Sequence, residues 1–289
     1  MPSGLEIDYE KPLNGSMAAY AQQLLICTGK DDWPSKIEEG EDGVIAKGLS
    51  ELLGRGGKFS DPFHRIAVTN SSFIPVSNQV NATTSAYLLP DFQLLPHISP
   101  DTKSMEALAE DLLTRKTPEV EKASASSGIG TQELHRLQGT HRIQTHEFCE
   151  ALVLICGHGG RDERCGIMGP LLRSEFRSAI SNSNELTLEN DRPGKPLKGL
   201  DEAPKTRGSV RVGLISHIGG HRFAGNVIIY IPPKFKGPTS HALMGKGIWY
   251  GRVEPKHIEG IVKETILKGN VISELYRGGI DQDRRMLRI

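Results

Sequence analysis

The chain has 289 residues, 37% hydrophobic and 24% charged, with 35 basic and 35 acidic side chains. That length favours two domains or one large one, the apolar content supports a packed core, and zero net charge argues against a whole-protein field for nucleic acid or an anionic membrane. No run of about 18 apolar residues occurs, so no membrane span is expected, and Cys27, Cys149, Cys156 and Cys165 are too few for a disulfide scaffold, which fits a reducing compartment where thiols serve chemistry or metal.

In chain order, MPSGLEIDYEKPL is acidic and lacks an apolar h-region, so neither a signal peptide nor an Arg-rich transit peptide is expected there. AAYAQQLLICTG leads into a short buried strand near 23–27. DGVIAKGLSELLG (42–54) spaces Val44, Ile45, Leu49, Leu52 and Leu53 on one helical face, with Gly54 at its end. RIAVTNSSF (65–73) and SAYLLPDFQLL (85–95) read as strands, the second interrupted at Pro90. TKSMEALAEDLLTRK (102–116) reads as an amphipathic helix, and the polar, small stretch 119–133 as a linker.

The second half begins near residue 140. EALVLICG (150–157) reads as a buried strand, IMGPLLRSEFRSAI (167–180) as a helix with Pro170 in its first turn, and 182–208 as a long loop. SVRVGLISH, NVIIYIPP and GIWYGRV read as strands. PKHIEGIVKETILKG (255–269) is the clearest helix, with Pro255 at its start, an apolar face of Ile258, Ile261, Val262, Thr265 and Ile266, and Gly269 at its end. The halves echo each other: LLICTGKDDW matches VLICGHGGRD, RIAVTNSSF matches VGLISHIGG, and SAYLLPDF matches NVIIYIPP. A duplication is expected, with Cys27 at the place of Cys156, Asn70 at that of His217 and Ile74 at that of His221, so that the first copy has lost its site.

Two glycine-rich strings carry the chemistry. CGHGGRDERCG places Cys156 and Cys165 in a C-x8-C spacing, and SHIGGH places His217 and His221 in H-x3-H. Each follows a strand, and in an α/β sheet loops at strand ends converge. Two thiolates and two imidazoles fit zinc, or a [2Fe–2S] cluster with one iron on the cysteines and the other on the histidines. Gly219 and Gly220, with the glycines of the first string, let backbone approach and wrap such a group. Cys156-Gly157-His158 matches the C-x-H loop of a Rieske site. The partner loop would be C-x-x-H, but Cys165 is followed by Gly166, Ile167 and Met168. His158 is therefore expected beside the ligands or exposed, not among them.

Together CGHGGRDERCG, SHIGGHRFAGN, YGRV (250–253), YRGG (276–279) and TGKDDWPSKIE (28–38) resemble the sucrase/ferredoxin-like family. The resemblance implies a C-terminal thioredoxin-like ferredoxin domain holding a [2Fe–2S] cluster on Cys156, Cys165, His217 and His221. It also implies mitochondria, with a cytoplasmic setting as the alternative. No glycosidase motif accompanies the "sucrase" label. Combined with the repeat, the expected fold is α/β: two thioredoxin-like domains built on a mixed sheet flanked by helices. The boundaries are 1–98 for a degenerate first domain, 99–139 for a helix and polar linker, and 140–289 for the ferredoxin domain.

Bland readings compete at single residues. Cys27 and Cys149 read as packed thiols, and Trp33 and Trp249 as core. Arg161, Asp162, Arg164 and Arg222 serve equally as surface ion-pair partners or as groups that offset cluster charge and dock a redox partner protein. The functional expectation is a one-electron carrier or redox sensor, coupled to a proton, rather than a substrate-converting enzyme. Histidine ligation raises the potential, to about −150 to +300 mV in Rieske centres against roughly −400 mV in plant-type ferredoxins. A structural zinc module, a thiol–disulfide oxidoreductase using Cys156 and Cys165, and a Cys–His hydrolase lacking an evident orienting group are the alternatives.

Overall fold

A computed structural model describes residues 4–76, 83–115, 143–190, 207–237 and 241–289. The first half runs β1 (Gln22–Cys27), α1 (Val44–Leu53), β2 (Ile66–Ser71), β3 (Thr84–Leu89), β4 (Gln93–Ile98) and α2 (Thr102–Thr114). The second runs β5 (His146–Glu147), β6 (Ala151–Cys156), α3 (Glu163–Ser181), β7 (Leu186–Leu188), β8 (Gly208–Ile215), β9 (Val227–Ile231), β10 (Lys246–Tyr250), α4, β11 (Tyr276–Asp281) and β12 (Met286–Leu287). α4 is α-helical over Ile258–Ile261 and continues as a π-helix over Val262–Leu267. The residues expected on its inner face, from Ile258 to Ile266, are buried.

All strands join one mixed sheet in the order β12-β11-β10-β9-β6-β8-β2-β1-β3-β4-β5, with β7 added beside β8. Within it the same pattern occurs twice. β1 lies parallel to β2 and antiparallel to β3, which pairs with β4; β6 lies parallel to β8 and antiparallel to β9, which pairs with β10. β1 and β6 are buried along their whole length, so they read as continuous apolar runs rather than alternating ones.

The two copies meet at β2 and β8, antiparallel, and their contact is symmetric. Ser72 N–H donates to Leu214 O and Ser216 N–H to Asn70 O, while the Ser72 hydroxyl accepts from Leu214 N–H and the Ser216 hydroxyl from Asn70 N–H. The ladders also correct the repeat register. Cys27 stands opposite Ser71 and Cys156 opposite Ile215, so Phe73, not Asn70, occupies the place of His217. The counterpart of His221 falls outside the described residues. Likeness of small polar residues does not fix a register; the backbone hydrogen bonds do.

Helices cover one face of each copy: α1 and α2 over Leu24, Ile26, Ala86 and Leu88, and α3 and α4 over Val153, Ile155, Val212 and Ile229. The opposite faces share one aromatic cluster containing Tyr20, Phe73, Tyr87, Phe148, Tyr230 and Trp249. Tyr230 on β9 donates to Gln23 on β1 at 2.9 Å. Those strands are four apart, roughly 19 Å in a flat sheet, so the sheet curls until side chains of β9 and β1 meet.

α2, placed by sequence in the segment between the halves, buries Leu108 and Leu112 in the first copy's core. The expected linker 119–133 lies outside the described residues. Residues 182–208 were expected to be a loop, yet β7 lies within them, and β11 and β12 add strands to the far edge. Val44, placed on the inner face of α1, is 55% exposed. Among the described residues no helix is long and apolar enough to cross a membrane.

Candidate metal centre

Cys156 is the last residue of β6, at its junction with the loop to α3. Asp162 ends that loop as the N-cap, its carboxylate accepting from Arg164 N–H at 3.1 Å. The cap starts α3 at Glu163, earlier than the expected 167. Cys165 is thus a residue of the first helical turn, not of a loop, and Pro170 is interior. Close approach explains the glycines on both sides. A Cβ on Gly169 would lie 2.4 Å from Gly157 Cα, and one on Gly166 would lie 2.7 Å from Gly159 Cα. The loop and helix backbones touch there, and this brings Cys165 to Cys156.

His217 follows β8 by two residues. Gly219 and Gly220 both adopt the left-handed conformation, with φ of 84° and 78°, which reverses the chain and returns His221 towards His217. Their rings lie 5.4 Å apart. Ligand atoms of Cys156, Cys165 and His217 all fall within 4.8 Å of one another. The Nδ1 atoms of His217 and His221 are both buried without a hydrogen-bond partner among the described residues. His221 Nδ1 lies 4.0 Å from Asp162 Oδ2, too far for a hydrogen bond.

Polarity across the site is graded. Cys156 and Cys165 are 1% and 0% exposed, whereas the His221 side chain is 44% exposed. The cysteine end is dry and the histidine end open. Cys156 is held well below the usual thiol range by the Cys165 thiol and then by His217, and the resulting negative charge pushes Cys165 up. The protein alone thus favours one thiolate and one thiol here. Desolvation holds His221 below the ordinary imidazole value, which favours the neutral ring that a metal requires. Two soft sulfurs at the β6–α3 junction and two unpartnered imidazole nitrogens in the β8–β9 connection are a donor set that fits zinc or a [2Fe–2S] cluster.

His158 is 1% exposed, so it is not a surface residue, and both of its ring nitrogens are engaged by backbone groups. Its Nδ1 accepts from His217 N–H at 2.9 Å, which fixes the proton on Nε2; that atom donates to the carbonyls of Trp33 and Pro34 at 3.0 and 2.8 Å. It ties the histidine loop to a segment of the first half. Asp32 in that segment accepts from Gly160 N–H, and Ser35 from Arg161. Arg164 forks onto Asp162, which explains why the Asp162 carboxyl is depressed. Arg222 is exposed, with its guanidinium carbon 5.7 Å from the Phe223 ring centroid.

Two residues of the site were missed by sequence reasoning. Asn226 accepts from Cys156 N–H through its backbone carbonyl, and its side-chain amide donates to Gly220 O at 2.9 Å. Arg277, buried in β11, donates to Asn226 Oδ1 at 2.6 Å and to Gly219 O at 3.2 Å. Their signal was present: an arginine embedded in the strand YRGGI, and an asparagine opening the apolar run NVIIYI.

Residues 13–278 match the sucrase/ferredoxin-like family. The chain is 32% identical to altered inheritance of mitochondria protein 32 of Debaryomyces hansenii, covering 97% of this chain and 90% of that protein. Identity to the protein of the same name is 31% in Meyerozyma guilliermondii, over 97% of this chain and 88% of the relative. In Saccharomyces cerevisiae it is 29%, over 83% and 68%. No solved structure matches the chain.

Proposed function

The chain belongs to the sucrase/ferredoxin-like family, and on that premise we propose that it is a [2Fe–2S] redox protein whose cluster is held by Cys156, Cys165, His217 and His221. The observation that carries this reading is the convergence of two buried thiols with His217, beside whose ring His221 also presents an unpartnered Nδ1. When bound, such a group supplies a one-electron couple. Each half then reads as a thioredoxin-like unit, the first without ligands, and their shared strand order supports it.

The protein's own residues divide the work. Cys156 and Cys165 bind at the dry end, where water is excluded. Cys165 would hold a metal as the thiolate, giving up its thiol proton, because a metal takes thiolates. His217 and His221 bind at the open end, and a ligated imidazole keeps its second nitrogen for a proton. The exposure of His221 lets that proton exchange with solvent, which supports coupled electron and proton transfer. The open rim carries Arg161 and Arg222 and suits a redox partner protein. The relatives' names support a mitochondrial setting.

Structural zinc is the second reading, favoured by the three ligand atoms within 4.8 Å of one another. Anaerobically purified, iron-replete protein decides between them. Iron and sulfide in equal amounts, with a visible and paramagnetic resonance spectrum that changes on dithionite reduction, support the cluster; a colourless protein containing zinc defeats it. The coupled proton requires a midpoint potential that becomes more negative as pH rises. A potential independent of pH removes that part.

A further inference from the structure

Arg277 is 1% exposed, yet no carboxylate pairs with it among the described residues. All its hydrogen bonds there go to neutral acceptors: Nε to Ser16 Oγ, one terminal nitrogen to Ser16 O, and the other to Asn226 Oδ1 and Gly219 O. Its guanidinium carbon lies 5.6 and 5.7 Å from the ring centroids of Phe223 and Trp249. A buried cation without a counter-charge is costly by several kcal/mol. Burial pulls its pKa down to about 10, and negative charge on Cys156 and Cys165 opposes that fall. It therefore stays charged at neutral pH, facing the Cys156 thiolate and, once a metal takes Cys165 as a thiolate too, a second anion.

The geometry is equally specific. Gly219 and Gly220 form the turn between the histidines. Arg277 lies directly beneath it: a Cβ on Gly220 would come 2.4 Å from its terminal nitrogen. Asn226 joins this guanidinium to Cys156 N–H and Gly220 O at once. One arginine thus touches the histidine turn directly and the cysteine strand through one residue.

We propose that Arg277 is the fixed counter-cation of the metal centre, a positioning residue that ties the His217–His221 turn to β11 and whose charge favours the more negative redox state. The proposal rests on the [2Fe–2S] reading. Reduction adds one negative charge to the site, and a proton on an imidazole offsets it only where the pH lets that proton bind. A cation already buried beside it makes that electron more favourable, because Coulomb interactions weaken little over short, poorly solvated distances. Arg277 thereby raises the midpoint potential.

The test is a mediated dithionite titration of the midpoint potential at fixed pH. It compares the cluster-loaded full chain with its Arg277→Gln, Arg277→Lys and Asn226→Asp variants, with iron content checked for each. Arg277→Gln is expected to lower the reduced-to-oxidised ratio at a given poise at least tenfold, about 59 mV for one electron. Arg277→Lys keeps the charge and restores most of the wild-type potential. Asn226→Asp places a carboxylate on the guanidinium while leaving Arg277 intact, and shifts the potential in the same direction as Gln. It carries the test should Arg277→Gln fail to fold. Unmoved potentials in the Gln and Asp variants, or a Lys variant as negative as the Gln one, overturn the proposal and leave Arg277 a structural role only. Wild-type protein without a cluster overturns the underlying reading, and is seen before any variant is made.

Discussion

At the end of β6, Cys156 faces Cys165 and His217; at the matching end of β1, Cys27 faces neither. Phe73 fills the place of His217, packed against Gly213 so closely that a Cβ there would lie 2.4 Å from the ring. The helix differs as well: α3 begins soon after Cys156, while α1 begins only at Val44, far beyond Cys27. Burial pushes the Cys27 thiol up to about 11, so it remains a neutral core group. The long segment before α1 crosses to the other copy. Trp33 joins its core, and Asp32, the Trp33 carbonyl and the Pro34 carbonyl hold the 158–160 loop. One copy carries the proposed ligands, and the other, with no matching set among the described residues, supplies part of the wall around them.

The largest expected contrast is between equivalent cysteines. Cys156→Ser should lose nearly all bound iron and visible absorbance, and Cys27→Ser should retain both; equal loss from the two variants would break the asymmetry. Next is His158, the bridge between copies. His158→Ala leaves the part-buried His217 N–H without its acceptor and the carbonyls of Trp33 and Pro34 without their donor. An unmet buried group costs about 1–3 kcal/mol and one that water can reach costs less, so denaturant melting should show a loss of about 2–3 kcal/mol, together with faster cluster release.

A smaller effect comes from the helices. Gly169→Ala drives a Cβ into the Gly157 backbone and should cost about 1–2 kcal/mol. Gly48→Ala on α1 meets only the Met105 thioether at 2.3 Å, a flexible end that can move. Alanine also gains about 1 kcal/mol of helix propensity, so that variant should be close to neutral. Similar urea midpoints for the two variants would show that the loop–helix contact is not tight. Smallest is the cap of α2. Hydrogen bonds from Ser104, the hydroxyl first, hold the Asp101 carboxyl down to about 2. A depressed carboxyl stabilises above its ordinary value of about 4 and loses that contribution as pH falls towards 2. The Tm advantage of wild type over Asp101→Asn should therefore narrow across that window and be constant above it.

Much of this was legible in the sequence. Apolar runs such as LVLIC mark central strands because both faces of the sheet are covered, and the 3.6-residue spacing of Met105, Leu108 and Leu112 marks α2. Cys156, Cys165, His217 and His221 stood out by spacing, and the first three meet as their spacing implied. The start of α3 was misplaced because Pro170 looked like a first-turn residue, whereas the Asp162 side chain had already capped the helix. β11 was overlooked because glycines weaken a strand signal. Here Gly279 admits the Gly247 carbonyl at 2.9 Å from where a Cβ would stand.

By itself the sequence determined which groups the site offers: two thiols and two imidazoles in glycine-rich segments, on a chain built of two similar halves. Local pattern suffices for that, since strand, turn and ligand spacing are short-range properties. Only the tertiary structure decided that the halves join edge to edge through Ser72 and Ser216, and that His158 ties the histidine loop to the first half. It alone put the uncompensated charge of Arg277 beneath that loop. Those relations depend on backbone register and burial between residues more than fifty positions apart, for which a linear pattern holds no signal.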